Sequence, residues 1–195
     1  MIGWIIGKIC RALGWKFVGT PASHLPKGMW VACPHWTNWD FPLGLWIRQE
    51  IGVYIGFFGK DSLFKWYSGW LFRALGGYAV NRDKATNLVT ATVNTFKANK
   101  TIHVCITPEG TRNDVAKLKN GFYFISLKSN VPLILIGFDQ AHKEIVFGPV
   151  IYPTGNYVED MKPFYAFFSS IGADKKEWLK IYEQTGEIPL PKEGK

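Results

Sequence analysis

The sequence predicts an α/β fold: a single domain with a mostly parallel mixed sheet flanked by helices, and an amphipathic helix at the N-terminus. Three observations lead there. Short runs rich in β-branched and aromatic residues alternate with longer stretches of helical spacing. Apolar residues make up 47% of the 195, enough for a sizeable core. No internal repeat, low-complexity tract or long linker divides the chain.

The first element is the stretch from Met1 to Gly14. Ile2, Ile5, Ile6, Ile9 and Leu13 fall near one helical face, with Trp4 beside them. Lys8 and Arg11 interrupt the apolar run well short of the ~18 residues that span a bilayer. A signal peptide is also a poor fit, because no basic residue precedes the apolar part and no small-x-small site follows. The stretch suits a helix lying in a membrane interface with its cations at lipid phosphates. It equally suits a helix packed on the core. The expected organisation is an interfacial helix over 1–20, a core over 21–154, and an aromatic and charged extension over 155–195.

Strands are expected at about 29–33, 53–58, 78–81, 101–106, 133–138 and 144–148. Helices are expected at about 40–50, 61–75, 83–99 and 118–129. In the third, Leu88, Val89, Thr92, Val93 and Phe96 carry the helical period, and Asp83 suits its N-cap. Beyond 154, the cluster at 164–168 reads as core packing, and Ala173–Gln184 reads as a helix.

Charge narrows the partners. The formal net charge is +8, and the chain holds nine Trp, eight Tyr and fourteen Phe. Basic plus aromatic suits single-stranded nucleic acid, but it also suits an anionic membrane surface. No nucleic-acid motif is present, so a nucleic-acid partner is not expected. Cys10, Cys33 and Cys105 are too few and too scattered for a disulfide framework or zinc ribbon. His24, His103 and His142 show no ligand spacing, so no metal is expected.

The chemistry-bearing residues cluster after expected strands. His35 and Asp40 follow the apolar run Met29–Ala32. On a helix, five residues would leave them about 140° apart. Pro34 and Pro42 argue against an uninterrupted helix and for strand, turn, helix. Asp40, in the first helical turn, can then accept a hydrogen bond from one imidazole nitrogen and leave the other to take a proton. Thr107-Pro108-Glu109-Gly110-Thr111-Arg112 follows another strand, where open α/β sheets place their sites. Arg112 can hold a phosphate bidentately, and Gly110 allows close backbone approach. Lys60 also follows an expected strand. A Cys33 nucleophile is a weaker reading, because Cys33 falls on the core-facing register.

Taken together, these segments resemble the glycerolipid acyltransferase family over roughly residues 28–140. His35-x-x-x-x-Asp40 matches its first motif. Gly76-Gly77 through Arg82 matches the second, and Thr107–Arg112 the third with only its first residue changed. Val131-Pro132-Leu133-Ile134 matches the fourth. Lys117-x-Lys119-x-Gly121-Phe122 also looks like the family's linker after the third motif. Departures are Pro34, Asn81 and Leu135, where the family usually has Asn, an acidic residue and a second proline.

The resemblance implies transfer of a fatty acyl group from acyl-CoA or acyl-carrier protein to a hydroxyl of a lysophospholipid. His35 would be the general base and Asp40 its partner. Arg82, Glu109, Gly110, Thr111, Arg112 and Lys60 would bind or frame the acceptor's head group, and Pro132 would shape the acyl-donor groove. No cofactor beyond the acyl donor is implied. The expected setting is peripheral or monotopic, on the cytoplasmic face of a membrane. A non-catalytic lipid-binding protein of the same fold is the alternative. A lipid hydrolase is disfavoured, because no Gly-x-Ser-x-Gly elbow is present.

Overall fold

The computed structural model describes residues 2–80, 85–172 and 175–191. Among the described residues there are seven strands: β1 (Lys16–Val18), β2 (Lys27–Cys33), β3 (Ile55–Lys60), β4 (Gly77–Val80), β5 (Ile102–Ile106), β6 (Leu133–Asp139) and β7 (Glu144–Ile151). They form one sheet in the order β1-β7-β6-β2-β5-β3-β4. All neighbouring pairs are parallel except β6 and β7. The expected mixed, mostly parallel sheet is therefore observed.

The helices are α1 (Ile2–Ala12), α2 (Asp40–Ile51), α3 (Gly69–Ala74), α4 (Ala85–Ala98), α5 (Gly121–Ser129), α6 (Tyr157–Ser169) and α7 (Glu177–Thr185). Both faces of the central strands are covered, as a parallel sheet requires. Residues Met29, Val31 and Cys33 of β2 alternate toward a core closed by Val93 and Phe96 of α4, Phe122 of α5, Phe164 of α6 and Trp178 of α7. Ala32 points the other way, into a core with Leu43, Trp46 and Ile47 of α2 and Cys10 of α1. Each large apolar side chain so buried contributes about 1.5–3 kcal/mol.

Three differences from expectation have local causes. The stretch expected as one helix at 61–75 is a 3-10 turn (Asp61–Phe64) followed by α3. The Ser68 and Gly69 amides both donate to the Lys65 carbonyl, which closes a turn between them. Strand β1, only three residues long, was not expected; it pairs with Glu144–Val146 of β7. Helix α6 contains Pro163, which hides it from a periodicity reading. Its start is nonetheless specified, because the Asn156 side chain accepts from the Glu159 amide. With Met161, Phe164, Tyr165 and Phe168 buried, α6 completes the main core, and Trp178 and Leu179 of α7 join it. Asp83, expected as an N-cap, lies outside the described residues.

Helix α1 packs Gly7, Cys10 and part of Ile6 inward and leaves its other isoleucines outside. A Cβ on Gly7 would meet Trp46 at 2.6 Å, so only glycine permits this approach to α2. Ile2, Trp4, Ile5, Ile9 and Leu13 are left about half exposed, at 49–55%. No helix among the described residues is long and apolar enough to cross a membrane.

Candidate active site

Strand order brings the two polar loops together. β5 lies between β2 and β3 and is parallel to both, with Trp30 opposite Cys105 and Val31 opposite Ile106. The loop after β2, with His35, and the loop after β5, with Glu109–Arg112, thus leave the same edge of the sheet side by side. Strand C-terminal ends of this kind are where α/β sheets bind ligands.

His35 stands on the turn, and Asp40 opens α2. His35 Nδ1 lies 2.6 Å from Asp40 Oδ2. A carboxylate only accepts, so Nδ1 carries the proton and Nε2 holds the lone pair. Nε2 has no hydrogen-bond partner among the described residues, and the side chain keeps 18% of its exposure. Asp40 is itself held. Its Oδ2 accepts from the amides of Trp36 at 3.1 Å and Thr37 at 3.2 Å, and its Oδ1 from the Gln140 amide group at 3.4 Å.

Glu109 lies beneath the same turn. It is 2% exposed. One carboxylate oxygen accepts from the His35 amide at 2.9 Å, the other from Trp178 Nε1 at 3.4 Å. Burial pushes its pKa above the ordinary carboxylate value, opposed by the His35 amide, the Lys176 charge and the Trp178 bond. Glu109 therefore props the His35 loop from behind, with its carboxylate turned inward. Gly110 turns the chain at φ +66°, Thr111 is half-buried, and Arg112 is exposed. Lys119 lies over Gly110: a Cβ there would come within 2.9 Å of its ammonium.

Lys60 is the last residue of β3, at the same sheet edge. Gly76, at φ +89°, and Gly77 join α3 to β4, while Arg82 lies outside the described residues. Pro132 does not join this site. Its carbonyl accepts from Met29 at the start of β2, and Leu133 opposes Met29 while Gly137 opposes Cys33. At about 3.3 Å per residue, Pro132 lies roughly 16 Å below the level of Cys33. Pro132 thus stands just before β6, at the sheet edge opposite the His35 turn.

Buried thiols do not compete with His35. Cys33 is fully buried, and desolvation raises its pKa well above the ordinary value, helped by Glu109. Cys105 is pushed up to about 12 by burial. No group of three His, Cys, Asp or Glu residues that could hold a metal ion occurs among the described residues. Sequence reading missed Gln140, Lys176 and Trp178, which reach the site only through folding; Lys119 had a signal, since it stands in the Lys-x-Lys linker.

A family model described as Acyltransferase matches residues 6–139, well over half of the 195. The chain belongs to the acyltransferase family. It is an enzyme of the acyl-transfer class. Its fold is similar to that of the 1-acyl-sn-glycerophosphate (LPA) acyltransferase PlsC from Thermotoga maritima, with a TM-score of 0.60 and 18% identity over 97% of this chain and 80% of that one. None of the curated proteins matches the chain.

Proposed function

We propose that this acyltransferase moves a fatty acyl group from an acyl-CoA or acyl-carrier-protein thioester to the free hydroxyl of a lysophospholipid, in phospholipid synthesis or remodelling. A 1-acylglycerol-3-phosphate is the reference acceptor, as for the similar Thermotoga protein. The carrying observation is the His35–Asp40 pair with its Nε2 lone pair unengaged. His35 Nε2 takes the hydroxyl proton as the oxygen attacks the thioester carbonyl. The tetrahedral intermediate collapses, the C–S bond breaks, and the thiolate takes the proton back from the imidazolium. The products are an ester and a thiol, and Asp40 stabilises the imidazolium between the two steps. No acyl-enzyme forms, in keeping with thiols that burial keeps protonated.

Arg112 and Lys60, with Arg82 by the family motif, supply charge for a phosphate head group. Lys119 adds a cation over Gly110. Membrane association on the cytoplasmic face completes the reading. The exposed face of α1 supplies Ile2, Trp4, Ile5, Ile9 and Leu13, with Lys8 and Arg11 on the same helix. A second shelf, between the 3-10 turn and α3, exposes Trp66 (92%) and Trp70 (67%) with Tyr67. Such rings favour headgroup depth.

The test is a lysolipid panel with acyl-CoA and acyl-carrier protein, read by mass spectrometry. The wild type should form diacyl product from at least one anionic lysolipid. His35→Ala should lower the rate by about 10²–10⁴ while keeping the wild-type circular dichroism. Wild-type transfer by His35→Ala would falsify the base assignment. Binding of lysolipid without thioester consumption would favour a non-catalytic lipid-binding role.

A further inference from the structure

We propose that Lys176 is a positioning residue for acyl transfer, holding the His35 loop and the Glu109–Arg112 loop in one arrangement. The inference rests on His35 being the base. Lys176 lies outside the matched stretch 6–139, at the start of α7, and is 0% exposed. A buried ammonium is costly unless its protons and charge are met. Every partner of this one belongs to the site. Its Nζ donates to the Arg112 carbonyl at 2.8 Å and the Asn113 carbonyl at 3.2 Å. It stands 4.2 Å from the centroid of the Trp36 ring, the residue after the base. Its charge also acts on Glu109, which holds the His35 amide.

The start of α7 is fastened to the same loop. The Glu177 amide donates to Asp114 Oδ1 at 2.7 Å, and the Trp178 amide to the Val115 carbonyl at 3.1 Å. The helix end thereby satisfies its free amides with the Arg112 loop. Lys176 then draws that loop's carbonyls and the Trp36 ring onto one cation. A neutral side chain of similar length would fill the space and release both loops. Displacement of reacting groups by about 1 Å costs on the order of 10²-fold in rate.

The experiment compares Lys176→Met and Trp36→Leu with the wild type, measuring kcat and both KM values on protein whose folded fraction is fixed by near-UV circular dichroism. Each variant should lose roughly 10–100-fold in kcat, with KM for thioester and lysolipid within about threefold of wild type. The double variant should be no slower than the worse single one, because both remove the same clamp. Wild-type kcat in folded Lys176→Met overturns the proposal. So does a loss confined to the acceptor KM, which would make Lys176 a head-group contact. Should Lys176→Met not fold, Trp36→Leu decides alone, and unchanged kcat there also overturns it. His35→Ala is assayed alongside. If it stays active, the base assignment fails; if it is inactive while Lys176→Met is normal, only the clamp fails.

Discussion

Gly110 adopts φ +66° between the buried Glu109 and the exposed Arg112. An L side chain in that region meets its own backbone, at about 1–2 kcal/mol. The Lys119 side chain overhead is flexible and can move aside, so backbone strain dominates the cost. Gly110→Ala should therefore lower unfolding stability by about 1–2 kcal/mol and weaken acceptor binding, because the chain before Arg112 relaxes. Urea unfolding and the acceptor KM check both; an unchanged midpoint would show that the loop does not need its glycine. The motif letters marked this loop, yet they did not separate inward from outward residues. Glu109 and Arg112 are both charged and three apart. Trp178 and the His35 amide, both distant in sequence, hold Glu109 inward.

Among the elements, β5 carries a histidine that the sequence reading left without a role. His103 is 7% exposed. Its Nδ1 accepts from Trp30 Nε1 at 3.1 Å, so Nε2–H donates to the Leu25 carbonyl at 3.0 Å. Desolvation lowers its pKa from 6.5, against the Leu25 bond, which raises it. Below 6.5 the unfolded chain takes up a proton that the folded one refuses. Its contribution to stability is thus present above that pH and lost as pH falls, at no more than about 1.4 kcal/mol per pH unit. His142 acts in the opposite sense: bonding to Asp139 raises its pKa, so its contribution is full below 6.5 and lost as pH rises through the folded value. Comparing wild type with His103→Gln isolates the first effect. The wild type should lose more stability between pH 7.5 and 5 in urea titrations, and parallel curves would refute the assignment. At this scale the sequence was legible wherever period and β-branching agreed, as in β2, β5, β6 and α4. It was not legible where Pro163 interrupts α6 or where β1 has only three residues.

For the whole molecule, exposed apolar surface and positive charge act together. Trp66 and Trp70 cover little of the protein, so replacing both with Ser should leave Tm within about a degree. Vesicles containing phosphatidylglycerol should bind the double variant at least about tenfold more weakly. Tenfold is about 1.4 kcal/mol, and immersing one large apolar side chain is worth about 1.5–3. Unchanged co-sedimentation would remove this shelf from the membrane face. Residue type and order alone determined the α/β class, the His35–Asp40 turn and the charged loop after β5, because periodicity, proline and strand-end placement are local properties. The tertiary structure decided what stands behind that site. Lys176, Trp178 and Gln140 reach the two loops across long stretches of chain, and Pro132 falls at the far end of its strand. Burial and strand order, which no local pattern encodes, fix both outcomes.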